Sequence, residues 1–188
     1  MLFILSLLLG CTPDKVTEGV DTSPEVVESP IWWEDHDCSY NGGDHICNFR
    51  LPTAADTADE IYEHYGEITV IDLSSMWCGP CQQAAGEINN IKERVGGVEW
   101  ITIIIENEAG RIPSSYDGQR WGNAFRLDYE DIWLGSRSNI DAYNGVSGFP
   151  LQTWPYFVIL DGDLRIRVVI EGWNKQNMIN KISELKSE

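Results

Sequence analysis

Residues 69–82 read TVIDLSSMWCGPCQ: a short apolar run holding one carboxylate, Asp72, then two thiols three positions apart. Everything around this stretch follows from asking what structure it joins. Residues 67–74, EITVIDLS, have the composition of a buried strand, and residues 80–97, PCQQAAGEINNIKERVGG, predict a helix with Ile88, Ile91 and Val95 on one face. Gly96 and Gly97 stop that helix. Residues 98–106, VEWITIIIE, form an unbroken run rich in β-branched residues, the mark of a strand covered on both faces. Strand, helix and strand make a β-α-β unit. Upstream, ADTADEIYEHYG (55–66) predicts a short helix ending at Gly66. Downstream, YFVIL (156–160), the turn Asp161-Gly162-Asp163 and LRIRVVIEG (164–172) predict a hairpin, closed by a helix from about 174 to 185. The fold class is α/β: a central mixed β-sheet flanked by helices, with residues 107–150 as an irregular insertion between the β-α-β unit and the closing hairpin.

The chemistry lies in Trp77-Cys78-Gly79-Pro80-Cys81, where a strand gives way to a helix. Cys78 falls at the helix amino terminus, where unpaired N–H groups and the dipole favour a thiolate. Cys81 lies one turn later and more enclosed. A nucleophile and a resolving thiol within bonding distance are what thiol–disulfide exchange requires. A CxxC can also be half of a zinc site, but zinc needs two further ligands, and Trp77, Pro80 and the preceding strand do not suit a zinc knuckle.

TVIDLSSMWCGPC resembles the active-site segment of the thioredoxin family. The β-α-β unit followed by PYFVILDG (155–162) resembles that family's closing hairpin after its cis-proline. The segment NFRL (48–51) and the character of the amino terminus bring the chain nearer to the membrane-anchored redoxin or TlpA type, over about residues 45–188. The resemblance implies a thioredoxin-like fold and exchange with protein or peptide thiols and disulfides, supplied by an upstream redox partner, with no dissociable cofactor. It implies Cys78 as nucleophile, Cys81 as resolving thiol, and Trp77, Gly79 and Pro80 as support. Asp72, six residues before Cys78, takes the place of a buried acid that accepts the second cysteine's proton; the alternative is a strand-end carboxylate facing solvent. The Trp154–Pro155 bond is expected to be cis, with Pro150 as competitor. Trp154 stands where the family usually has Thr or Val.

The amino terminus reads as an address. Residues 2–9, LFILSLLL, are far shorter than the roughly 20 residues a helix needs to span a bilayer, which suits a signal peptide over residues 1–10. The ending Leu8-Leu9-Gly10-Cys11 resembles a bacterial lipobox, implying lipidation of Cys11 and a lipid-anchored, extracytoplasmic location in a bacterial envelope. No Lys or Arg precedes the apolar run, and an ordinary cleaved signal remains the alternative. Residues 11–30, with three prolines, five acids, one lysine and no aromatic residue after Cys11, have the composition of a disordered tether; the domain is expected over 31–188. A formal net charge of -17, from 30 acidic against 13 basic residues, argues against a nucleic-acid partner.

Five cysteines make an odd count, but lipidated Cys11 and a Cys78–Cys81 pair leave Cys38 and Cys47. In an oxidising compartment these bond across the turn at Asn41-Gly42-Gly43. The rival reading is metal: DHDC and DHIC place His36, Cys38, His45 and Cys47 as four zinc- or copper-competent ligands. That reading belongs to a second functional class, a non-catalytic envelope lipoprotein binding metal or a partner through residues 35–47. His64 reads as a helix-surface residue. Trp77 and Trp154 flank the dithiol as an apolar platform for an unfolded polypeptide, while Trp100, Trp121, Trp133 and Trp173 read as core and insertion packing.

Overall fold

The computed structural model describes residues 38–141 and 144–188. The signal segment 1–10, Cys11 with the tether 11–30, and His36 lie outside the described residues. Two short strands, β1 (Cys38–Ser39) and β2 (His45–Ile46), run parallel and are joined by the Cys38–Cys47 disulfide. Gly43 allows the intervening turn, since its φ of +97° lies in the left-handed region. The small unit is stitched to the body by main-chain bonds from Gly43 N–H to Ile166 O (2.8 Å) and Ile46 N–H to Leu164 O (3.0 Å).

Residues 55–66 are not the short helix their composition suggests. Ala58–Glu60 is a strand, β4, antiparallel to β3 (Arg50–Pro52), and only Ile61–His64 forms a single 3₁₀ turn. Thr53 N–H bonds Thr57 O at 3.0 Å and Asp56 takes φ +59° at the loop, so the hairpin satisfies main-chain groups that a short helix would leave open. Gly66 follows with φ +98°.

In β5 (Thr69–Ser75) all seven residues are buried. The helix expected over 80–97 is two helices, α1 (Gly79–Ala85) and α2 (Ile88–Val95), broken at Gly86 and Glu87. Gly86 is a weak helix former at the break, and after it Ile88 and Ile91 are buried and Val95 is half-buried. β6 (Glu99–Glu106) then lies parallel to β5, as the β-α-β reading requires.

The insertion between the β-α-β unit and the closing hairpin is not irregular throughout: it carries a helix and one strand of the sheet. Ser114 and Asp117 form a reciprocal capping box that starts α3 (Ser115–Phe125), and Arg126 ends it at φ +60°. After it, β7 (Ile132–Leu134) joins β6 in parallel. The helix packs closely because Gly118 faces the sheet: a Cβ there would sit 2.7 Å from Ala54 Cβ and 2.9 Å from Leu134 Cδ2. β8 (Tyr156–Leu160) and β9 (Ile166–Glu171) form the antiparallel closing hairpin, and α4 (Lys175–Leu185) begins at Asn174, whose Oδ1 accepts the Asn177 N–H at 2.9 Å.

The five-stranded mixed sheet has the order β7-β6-β5-β8-β9, with β5 in the centre. Alternation divides its side chains into two apolar layers. One gathers Val70, Trp100, Ile104 and Phe157 with Cys78, Cys81 and α4; the other gathers Ile71, Leu73, Ile103, Trp133 and Val158 beneath the amino-terminal hairpin. His64 is not a free surface residue: its Nε2 meets Asp59 Oδ2 at 3.2 Å, its Nδ1 meets the Glu99 carboxylate, and its ring packs on Trp133. It ties the β3–β4 hairpin to the edge of β6.

Candidate active site

The central strand delivers the dithiol. After Ser75 the chain turns, with Cys78 N–H bonded to Ser75 O at 3.0 Å, and Cys78 becomes the N-cap of α1 in an extended conformation. Pro80 suits the first helical turn, since its missing N–H is one the helix does not need. Cys78 and Cys81 are joined by a disulfide, and the Cys81 N–H donates to Cys78 Sγ at 3.2 Å. That N–H is one of the helix's unpaired donors and would stabilise a thiolate at Cys78 once the bond opens. Both sulfurs belong to the apolar layer under the sheet; Cys78 is 4% exposed and Cys81 is fully enclosed.

Asp72 is fully buried on β5. Two-residue alternation points it, like Val70, to the face that carries Cys78 and Cys81. The Ser74 hydroxyl donates to its Oδ1 at 2.7 Å, whereas Oδ2 has no hydrogen-bond partner. Burial pushes its pKa up to about 7, against the opposing pull of the Ser74, Trp100 and Thr102 polar groups. A carboxyl poised near neutrality can both accept and release a proton at working pH.

Trp77 is 47% exposed, and its ring meets the half-buried Trp154 edge-on at 6.2 Å. The Trp154–Pro155 peptide is cis. Pro155 directly precedes β8, whose first residue Tyr156 pairs with Leu73, so it lies alongside the end of β5 from which the dithiol emerges. Pro150 lies five residues earlier, next to Phe149, which belongs to the other layer.

One part of this arrangement was not expected from the sequence. Glu106, at the end of β6, accepts from Trp77 Nε1 at 2.8 Å and from Arg137 Nε at 2.6 Å. The Arg137 hydrogen bond holds the Glu106 pKa below the ordinary range, so a charged carboxylate orients the tryptophan beside the disulfide. The only signal in the sequence was an acid closing an otherwise apolar run. Two open hollows include chain neighbours of the dithiol or the Glu106–Arg137 pair. One, of about 570 Å³, includes Met76, Gln82 and Trp121; the other, of about 820 Å³, includes Glu106, Arg111, Ile112 and Arg137.

The Cys38–Cys47 pair sits apart from this site, half-buried, beside a hollow lined by Asp44, His45 and Arg165. Its sulfurs are bonded to each other, so they cannot serve as the thiolate donors of the four-ligand metal reading, in which His36 lies outside the described residues. Among the described residues no group of three or more His, Cys, Asp or Glu side chains is placed to hold a metal ion.

No protein-family model matches the chain, and no curated protein matches it in sequence. Solved structures do match in shape. The thioredoxin domain of a thiol-disulfide oxidoreductase from Bacteroides vulgatus aligns with a TM-score of 0.61 at 9% identity, covering 78% of this chain and 98% of that one. A DsbF homologue from Corynebacterium diphtheriae aligns with a TM-score of 0.60 at 18% identity, over 78% and 91%. The pneumococcal exposed lipoprotein thioredoxin, Etrx1, from Streptococcus pneumoniae aligns with a TM-score of 0.56 at 17% identity, over 74% and 100%. At such identities the likeness defines the class of fold, and this chain has the thioredoxin fold.

Proposed function

We propose that the protein is a thiol–disulfide oxidoreductase acting on protein disulfides through Cys78 and Cys81. The observation that carries this reading is the enclosed disulfide capping α1 on the same side of the sheet as a buried carboxyl whose pKa is pushed up to about 7. In the reducing direction, the Cys78 thiolate attacks one sulfur of a substrate disulfide, forming a mixed disulfide and releasing the other sulfur as a thiolate. Cys81 gives its proton to Asp72 and attacks Cys78 Sγ; the Cys78–substrate bond breaks, the second substrate sulfur leaves, and the Cys78–Cys81 disulfide forms. Two electrons pass from the dithiol to the substrate. The opposite direction uses the same groups in reverse.

The exposed face of Trp77, with Trp154 against it, offers an apolar surface to a polypeptide bearing the target disulfide. The solved structures of similar shape that are named as thiol–disulfide oxidoreductases support the same reaction class. An extracytoplasmic setting with a lipid on Cys11 is part of the proposal; it rests on residues 2–11 and on the likeness to an exposed lipoprotein. No helix among the described residues is long and apolar enough to cross a membrane. Reduction of insulin by the dithiol-loaded protein tests the activity. In Cys81→Ser a mixed disulfide should accumulate through Cys78, because attack survives and resolution does not. Accumulation through Cys81 in Cys78→Ser, and none in Cys81→Ser, would reverse the roles.

A further inference from the structure

The dithiol follows β5, and the loops after the next two parallel strands open at the same edge of the sheet. Ser75 of β5 pairs with Glu106 at the end of β6, and Arg137 follows β7, which runs parallel to β6 and ends at Leu134. Ligands of open α/β sheets gather at that edge, outside the carboxyl ends of the strands. There the hollow of about 820 Å³ is bounded by Glu106, Arg111, Ile112 and Arg137. The chain as a whole carries a formal net charge of -17, yet this wall holds two arginines to one acid. The acid is already committed. Glu106 is 7% exposed, with one oxygen taken by Trp77 Nε1 at 2.8 Å and the other by Arg137 Nε at 2.6 Å. Arg137 uses only its Nε–H in that pair and its side chain is 68% exposed, so its terminal nitrogens stay open to a ligand. Arg111 is exposed and forms no ion pair among the described residues. Ile112, 73% exposed, and Trp77 supply apolar contact beside them. The other hollow differs, because its Arg120 is neutralised by Glu108 at 2.8 Å.

We propose that this hollow selects the substrate: it receives an Asp or Glu side chain of the polypeptide whose disulfide is exchanged, with Arg111 and the terminal nitrogens of Arg137 as its partners and Ile112 against the neighbouring apolar residue. The inference rests on the exchange reaction proposed above and names the class of polypeptide which that reaction favours. A carboxylate suits the place because a guanidinium pairs with it through two parallel N–H···O bonds. One tryptophan and one carboxylate separate Cys78 from the arginines, a span that roughly three residues of extended chain cover at about 3.3 Å each. Charge gives the hollow its discrimination. An acidic polypeptide is repelled by most of a surface built from 30 acidic and 13 basic residues and attracted here, which ties its docking to one register beside Cys78.

Peptides carrying one disulfide, with Glu, Gln or Lys about three residues from the attacked cysteine, test this against the full chain in its dithiol form. kcat/KM should fall from Glu to Gln by roughly fivefold, the upper range for a solvent-exposed ion pair, and further to Lys. Arg111→Ala should remove the preference, Arg111→Glu should invert it in favour of Lys, and Arg111→Lys should keep part of it. Arg94→Glu, on α2, makes the same change in net charge and should leave the Glu-to-Gln ratio as in wild type. Equal rates for the three peptides in wild type, or a loss of preference in Arg94→Glu as large as in Arg111→Glu, overturns the proposal. Titrating the same peptides with Ser in place of both cysteines, followed through the Arg111 Nε–H signal by NMR, separates the hollow from the reaction. A Glu-dependent shift without any exchange refutes the proposed function and upholds the acid-binding hollow. Exchange without any dependence on Glu refutes the hollow and upholds the function.

Discussion

The two disulfides of this chain contain the same bond in opposite surroundings. Cys78–Cys81 closes a separation of 3 residues at a strand–helix junction, on the same face as a buried carboxyl, with an N–H aimed at one sulfur. Cys38–Cys47 closes a separation of 9 residues, half-buried, beside Asp44, His45 and Arg165, with no buried acid near it among the described residues. Under the proposed function the first site supplies what a thiolate intermediate needs, a donor for the anion and an acceptor for the proton, and the second supplies chain restraint. On that reading accessibility alone does not mark a redox centre, because the more exposed pair is the one without the proton machinery.

Substitutions can press on that contrast from either side. Cys78→Ser should reduce insulin-reductase activity to background, whereas Cys38→Ser with Cys47→Ser should leave it unchanged at a temperature where the fold persists. Asp72→Asn should act on stability and rate together. A carboxyl with a folded pKa near 7 against an ordinary value of 3.8 is disfavoured as an anion in the fold, so wild-type stability is full below about pH 4 and is lost as pH rises toward 7. The loss is on the order of 4 kcal/mol at pH 8, at 1.36 kcal/mol per pKa unit. Asp72→Asn should abolish that pH dependence, gain stability at neutral pH, and slow resolution by about 10²-fold. Denaturant melts at pH 4 and pH 8 with no difference between the two in wild type would contradict the buried, shifted carboxyl.

Opening the Cys38–Cys47 disulfide should cost about 2.5–3 kcal/mol, from the chain entropy of its ten-residue loop, read as a shifted denaturation midpoint. The smallest effect expected is at Glu106→Gln, which keeps an acceptor for Trp77 but weakens the contact with an Arg137 side chain that is 68% exposed. Solvent screening limits that change to about 1 kcal/mol or less, with a modest change in affinity for an unfolded substrate measured by titration.

Long uniform patterns carried most of the fold in the sequence. YFVIL appears as β8 over the same five residues, and the run at 98–106 appears as β6, because both are buried on two faces and nothing competes with extension. Competing signals hid the rest. ADTADEIYEHYG has helical composition, yet Ala58–Glu60 pairs with a strand whose own composition, Arg50-Leu51-Pro52, gives little sign of one. A helix containing Gly118 and Gly122 looks broken in one dimension and is required in three, because the glycines let α3 approach Ala54, Leu134 and Tyr129. β7 has only three residues, too few for a period to register. At the site, the motif and Asp72 stand out by spacing along one segment. Glu106, Arg137, Trp100 and Thr102 come from other segments, and only the folded chain brings them to the site.

Which disulfide exchanges is measured most directly by equilibrating the protein in glutathione buffers of stepped potential, alkylating free thiols, and mapping them by mass spectrometry. The account predicts that Cys78 and Cys81 become alkylated together while Cys38 and Cys47 stay bonded in the folded protein. Reduction of Cys38–Cys47 first, with Cys78–Cys81 resisting until the protein unfolds, would contradict it.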